Sequence, residues 1–94
     1  MKPTFDVLYG RGARSAELTA VFAGTDHRGH AVLKDVTSKY GVEDHAWINN
    51  MYMSTFSAIK KGDRIQFWAD LQPYKKSDGS RSIRLECPRE VRRV

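Results

Sequence analysis

The regular alternation of apolar and polar residues over residues 64–72, RIQFWADLQ, predicts a β-strand with one buried face. Every second residue is apolar, namely an isoleucine, a phenylalanine, an alanine and a leucine. The residues between them are polar apart from Trp68. The turn pair Gly62-Asp63 precedes this strand, and Pro73 is expected to end it. Lysine and arginine residues lie at both ends of the segment. Trp68 is therefore the best candidate for an exposed aromatic side chain on a positively charged surface.

Four other segments have strand character, and turns rich in glycine or polar residues separate them. They predict strands over residues 15–23, 30–37, 45–49 and 82–87, with a polar loop over residues 38–44. The pair Asp78-Gly79 favours a tight hairpin between the last two strands. Cys87 continues the apolar parity of the last strand and is expected to point inward. Six residues on the apolar parities are expected to be buried together: Leu18, Phe22, Ile65, Phe67, Ile83 and Leu85.

The hydrophobic period changes between the third and fourth predicted strands. Three apolar residues from Met53 onward are spaced by three, and Ser54 or Thr55 is a suitable helix cap. This pattern predicts one amphipathic helix of about two to three turns over residues 52–61, ending at Gly62. The five strands are expected to form a closed or nearly closed barrel over residues 15–87, with this helix plugging one end.

The two ends of the chain carry weaker patterns. Residues 1–14 are interpreted as a lead-in, with an apolar parity typical of a short strand near its start. Within it, residues 10–14 are expected to be a basic loop that serves either as a connector or as a phosphate contact. Pro88 is expected to end the last strand, so that residues 89–94 form a basic tail. The chain is long enough for one small core, so residues 1–94 are expected to be a single domain.

Charge is distributed unevenly along the 94 residues, whose formal net charge is +5. Residues 1–63 hold eight basic and seven acidic residues, whereas residues 64–94 hold eight basic and four acidic ones. Most of the excess positive charge therefore lies in the C-terminal third. This asymmetry favours a polyanionic partner, with solubility as the alternative explanation.

Several classes of protein do not fit the sequence. No run of eighteen apolar residues is present, so we expect no membrane span. The first residues lack the apolar segment of a secretory signal, and the single cysteine cannot form an internal disulfide. We therefore expect a cytoplasmic protein.

The sequence lacks the residue combinations that catalysis requires. His27 and His30 have only the adjacent but weakly placed Asp26 as a further metal ligand nearby in sequence, and Cys87 has no neighbouring histidine. Nucleophile-elbow and phosphate-binding glycine motifs are absent. We therefore expect no enzymatic activity, no metal and no cofactor.

Aromatic and basic residues instead suggest binding of a single nucleic-acid strand, which combines base stacking with phosphate contacts. Trp47 and Tyr52 have core packing as an alternative, and Tyr74 has a structural role at the rim. Trp68 has a contact with the lead-in or with a second subunit as its alternative. The candidate stacking residues are Trp68, Trp47, Tyr74 and Tyr52, and the candidate phosphate partners are Arg14, Arg28, Lys34, Arg64, Lys75, Lys76, Arg81 and Arg84.

The predicted order, β-β-β-α-β-β, resembles the OB-fold, a five-stranded all-β Greek-key barrel with one short helix between strands 3 and 4. The resemblance covers about residues 15–88 and includes the segments SAELTAVFAGTDHRGHAVLKDV, DHAWI and KKGDRIQFWADL, with Gly62-Asp63 before strand 4. It is closer to compact phage or bacterial nucleic-acid-binding domains than to the anticodon-binding domains of tRNA synthetases. The resemblance implies binding of single-stranded DNA or RNA without catalysis. The alternative is a protein-interaction module, such as a phage or regulatory adaptor, that uses the same barrel face.

Overall fold

The computed structural model describes residues 4–94, which form one antiparallel sheet of five strands in the order β3-β2-β1-β4-β5. The strands are β1 Ser15–Thr25, β2 Ala31–Ser38, β3 Gly41–Ile48, β4 Arg64–Lys75 and β5 Arg81–Arg93. Helix α1, Thr4–Gly10, precedes the sheet, and a 3₁₀-helix, Asn50–Phe56, connects β3 to β4. No helix within residues 4–94 has the length and apolarity needed to cross a membrane.

Strand β1 is central because it pairs with both β2 and β4. Its alternating burial follows the sequence pattern, and Leu18 lies directly opposite Phe67 of β4 on the buried face. The turn into β2 is fixed by Asp26, whose carboxylate accepts hydrogen bonds from the backbone N–H groups of Arg28 (2.9 Å) and His30 (3.0 Å). The predicted hairpin between the first two strands is therefore confirmed.

The core lies on the concave side of the sheet and contains five of the six residues predicted for it. Leu18, Ile65, Phe67 and Leu85 are at most 2% exposed, and Phe22 is buried with its ring stacked on that of Phe56 at 5.6 Å. The sixth residue, Ile83, is less buried than predicted. Ile83 is only partly buried, because it lies at the open edge of the sheet.

The prediction of a closed or nearly closed barrel is not confirmed, because the sheet does not close. Strands β3 and β5 are the two edges of the sheet and contact each other, but no hydrogen-bonded pairing joins them within residues 4–94. The sheet is therefore curled and open along one seam. Helix α1 packs beside this seam, where it contacts both edge strands.

Strand β5 does not end at Pro88, as the sequence suggested, and residues 89–94 are not a free tail. The strand continues to Arg93, and the N–H of Val94 donates to the carbonyl of Arg64. Pro88 is tolerated because β5 is an edge strand and its register with β4 shifts nearby. Cys87 and Glu90 adopt positive φ values of 50° and 54° in this irregular region. The same irregularity exposes the thiol of Cys87, so its predicted inward orientation is wrong.

Four other element predictions are corrected by the structure. The helix predicted over residues 52–61 is a 3₁₀-helix that begins at Asn50, with the side chain of Asn49 accepting from Met51 N. A repeat of three residues is the period of a 3₁₀-helix, which explains the apolar spacing. The third strand begins at Gly41 and not at residue 45, because the supposed polar loop is a tight turn.

The apolar residues near the start of the chain lie in helix α1 and not in a short strand. Phe5 and Leu8, three residues apart, are both buried against the sheet. This spacing brings both side chains to one helical face. Strand β4 also extends further than predicted, through Pro73 to Lys75, because Pro73 pairs with Ile83 near the end of the ladder.

Candidate nucleic-acid interface

A cleft of about 330 Å³ opens at the seam where β3 and β5 face each other. Helix α1 forms one end of this β3–β5 cleft, and the β4–β5 hairpin forms the other. Four of the residues predicted to bind nucleic acid line it together: Trp47, Tyr74, Lys76 and Arg84. The remaining lining residues are Phe5, Asp6, Glu43, His45, Ala46, Ser82, Ile83 and Leu85.

Trp47 is exposed on β3, with 38% of its surface accessible, so the core alternative does not apply to it. Its ring lies 5.1 Å from the imidazole of His30 at an interplanar angle of 34°. Nδ1 of His30 accepts a hydrogen bond from Asn50 N at 2.9 Å, and the backbone N–H of His30 is held by Asp26. The imidazole is thus fixed by the turn and supports one side of the indole, while the rest of Trp47 faces the cleft.

Tyr74 lies near the end of β4 and is half-buried at the opposite wall of the cleft. The guanidinium of Arg84 lies 5.8 Å from the centre of its ring, within the range of a cation–π interaction. Arg84 also forms a 2.7 Å ion pair with Glu86. Both contacts orient the guanidinium along the β5 wall, so that Arg84 is a positioned cation and not a freely moving one.

The β4–β5 hairpin carries the positive end of the cleft. Lys75 and Arg81 are exposed cross-strand partners at its base, next to Lys76. The carboxylate of Asp78 accepts hydrogen bonds from the side chain and backbone of Ser80, which lower the pKa of Asp78. That carboxylate therefore stabilises the turn, and the lysines and arginines around it set the local charge.

The opposite end of the cleft is acidic. Asp6 and Glu43 lie there, and the Glu43 carboxylate accepts a 3.4 Å hydrogen bond from the backbone N–H of Phe5. Partial burial raises the pKa of Glu43 above its ordinary value of 4.5. The cleft is thus polarised, with phosphate-compatible charge at the hairpin and negative charge beside α1.

Trp68 is not part of this cleft. It is half-buried on the outer face of the sheet, between Glu17 of β1 and Arg89 of β5. Lys75 lies seven positions further along β4, which corresponds to about 23 Å in an extended strand. The sequence placed Trp68 and the hairpin lysines on one surface, but the structure separates them.

A second concave surface of about 730 Å³ contains Trp68, and we call it the Trp68 groove. It lies between the α1–β1 loop, the first half of β1 and the β2–β3 turn. The groove brings Trp68 together with Arg11, from the basic loop predicted as either a connector or a phosphate contact, and with Lys39 and Tyr40, which the sequence pattern did not single out for binding. The only signal for them was the juxtaposition of basic residues with an aromatic one in segments interpreted as loops.

The other predicted phosphate partners are scattered over the surface. Arg64 begins β4, and Lys34 is exposed on β2 opposite His45. Arg28 lies in the β1–β2 turn, where its carbonyl accepts from the side chain of Asn50. The guanidinium of Arg14 lies 4.0 Å from the ring centre of Tyr9. None of these four residues lines the β3–β5 cleft.

Tyr52 lies on the 3₁₀-helix and packs partly against the core, as its alternative interpretation proposed. Its hydroxyl lies 3.6 Å from Sγ of Cys87. Hydrogen bonding to Cys87, followed by that to Glu86, raises the pKa of Tyr52 to about 12. This tyrosine is therefore tied to β5 and does not face the cleft.

Comparison with protein-family models and with curated proteins gave no significant match to this chain. The function is therefore inferred from the geometry and charge of the cleft.

Proposed function

We propose that this protein is a small OB-fold domain that binds single-stranded DNA or RNA in the β3–β5 cleft, without catalysing a reaction. An OB-fold is a five-stranded, partly open Greek-key barrel that binds its ligand near strands 2 and 3 and the loops that follow strands 1 and 4. The strand order, the central position of β1 and the open seam are consistent with this fold. The cleft lies beside β3 and the β4–β5 hairpin, which agrees with the ligand position in that fold.

The observation that carries the proposal is the gathering of two aromatic and two basic side chains around one open cleft. Trp47 and Tyr74 offer ring faces to unstacked bases, each stack contributing about 1–3 kcal/mol. Lys76 and Arg84 lie where the phosphates of the same strand would pass. Stacking accepts any base, so we expect little sequence preference.

The polarity of the cleft determines how a strand would lie in it. The phosphate backbone would follow the β4–β5 hairpin, where Lys75 and Arg81 add positive charge. The bases would point across the cleft toward Trp47. The phosphates would then lie away from Glu43, whose negative charge repels them.

Salt titrations of binding to short oligo-dT and oligo-U test this proposal. Trp47→Ala should weaken binding by about 1–3 kcal/mol with an unchanged salt slope, since it removes no cation. Lys76→Ala should weaken binding less, and should flatten the slope of log K against log salt by about 0.7. Lys60→Ala is the matched control, because Lys60 is exposed but lies outside the cleft. Circular dichroism establishes that each variant is folded.

Two results would contradict the proposal. Absence of measurable binding by the wild-type protein at low salt would exclude it. Weak binding that Trp47→Ala leaves unchanged would indicate general attraction by positive charge, as expected of a protein-interaction module.

A further inference from the structure

The Trp68 groove is larger than the β3–β5 cleft and lies on another face of the molecule. The indole of Trp68 lines it together with Ser15, Glu17 and Thr19 of β1, and its rim carries Arg11, Lys39 and Tyr40 from the α1–β1 loop and the β2–β3 turn. A concave surface that joins an aromatic face, a few polar groups and localised positive charge is a typical small-ligand site.

The groove also borders an open edge of β1. In the part of the chain that the structure describes, β1 pairs with β4 from Ser15 onward but pairs with β2 only from Thr19 onward. The first half of β1 therefore faces the groove with backbone groups that no neighbouring strand pairs. Such groups form hydrogen bonds with a ligand at no cost to the sheet.

Two side chains beside Trp68 can bind the edge of a base. Glu17 lies directly opposite Trp68 on β1 and presents an exposed carboxylate, which accepts hydrogen bonds. Gln66 lies on the same face of β4, and its Oε1 accepts from Arg92 at 3.0 Å. That contact directs the amide so that its N–H₂ group remains available as a donor. An acceptor and a donor beside a ring face match the adjacent donor and acceptor of a nucleobase.

The positive charge lies at the other end of the groove. The guanidinium of Arg11 lies 4.6 Å from the ring centre of Tyr40, and Nζ of Lys39 lies 5.2 Å from it. Both cations thus lie against the same tyrosine ring. Two clustered cations attract a doubly charged phosphate and not an uncharged ligand.

From these contacts we infer that the Trp68 groove is a nucleotide-binding site, in which the base stacks on Trp68 and the phosphate contacts Arg11 and Lys39. The ligand is either a free nucleoside monophosphate or the 5′-phosphorylated end of a strand, since both present the same groups. This site is separate from the β3–β5 cleft, and its existence does not depend on whether the cleft binds a strand.

The two tryptophans allow the two surfaces to be observed separately, because the chain contains no others. In Trp47→Phe the fluorescence reports Trp68 alone, and in Trp68→Phe it reports Trp47 alone. AMP should quench Trp68 saturably and leave Trp47 unaffected. Ribose 5-phosphate, which has no base, should not quench Trp68. Adenosine should bind about tenfold or more weakly than AMP, because it lacks the charged partner of the rim cations.

Variants in the Trp47→Phe background assign the contacts. Lys39→Ala should reduce the preference for AMP over adenosine, and Glu17→Ala should weaken both ligands at least about fivefold. Asp44→Ala is the matched control, because Asp44 is an exposed carboxylate on β3 that lies outside the groove. A 5′-phosphorylated oligo-A measured in parallel distinguishes a free nucleotide from a strand end. Saturable quenching of Trp68 by AMP indicates that the ligand is a free nucleotide. Quenching of Trp68 by the oligonucleotide alone indicates that the ligand is a strand end.

The inference is overturned if neither AMP nor the oligonucleotide quenches Trp68. It is also overturned if AMP quenches only Trp47, or if Asp44→Ala weakens binding while Glu17→Ala does not.

Discussion

Replacement of Phe67 by alanine should bring the domain close to unfolding. The Phe67 side chain is fully buried at the centre of β4, with Ile65 and Ala69 fully buried on the same face and Leu18 opposite. Truncation of a buried phenylalanine costs about 3–5 kcal/mol, because contacts are lost and a cavity remains. A domain of 94 residues has a total stability of about 5–14 kcal/mol at the usual 0.05–0.15 kcal/mol per residue. The substitution therefore removes a large part of the whole.

Urea unfolding followed by circular dichroism measures this effect. The midpoint should fall with little change in the m-value, and the melting temperature should fall by at least about 12 °C. Gln72→Ala is the matched control, because Gln72 is exposed on the same strand, and it should change stability by less than about 0.5 kcal/mol. A loss below about 1 kcal/mol for Phe67→Ala would show that the buried face of β4 has been assigned wrongly.

Three further predictions follow from particular contacts. Gly62→Ala should lower the free energy of unfolding, measured by thermal unfolding, by about 1–2 kcal/mol, because Gly62 has a φ of 96° that alanine adopts only with strain. Gly10→Ala is the control and should cost nothing, because Gly10 has no positive φ. The pKa of Glu43 is raised in the folded state, so near that pKa the folded protein binds more protons than the unfolded protein. Wild-type stability should therefore fall as pH rises from about 4.5 through the raised value, and the Glu43→Gln variant should not show this fall. Ultraviolet difference titration should show one tyrosine ionising near pH 12 in the wild type, and Tyr52→Phe should abolish that step.

The interior of the sheet was predictable from sequence because alternation in a half-buried strand is a local signal. The alternating apolar positions of β1 and β4 coincide with the buried residues, and Leu18 pairs with Phe67 on that buried face. The chain ends were predicted less well. Pro88 usually ends a strand, but here an edge position and a shift in register tolerate it. Tertiary contacts of this kind leave no local pattern.

The candidate site was predictable in composition but not in arrangement. Trp47, Tyr74, Lys76 and Arg84 were selected from their chemistry, and the structure brings them to one cleft. Their proximity depends on the approach of β3 to β5, which are more than thirty residues apart in sequence. Trp68 satisfied the same criteria but lies on another face. Alternation along a strand determines which side of the sheet a residue faces, but it does not determine which residues become its neighbours when the sheet curls.

The measurement that tests the central claim most directly is mapping of amide and indole chemical-shift changes by NMR during titration with an unlabelled oligo-dT. If a single strand binds in the β3–β5 cleft, the largest changes should occur at the Trp47 indole, in β3 and in the β4–β5 hairpin around Lys76. The Trp68 indole should change little, because thymidine strands without a 5′-phosphate lack the group that the Trp68 groove contacts. Changes confined to other surfaces, or no changes at low salt, would contradict the assignment of the cleft as the binding site.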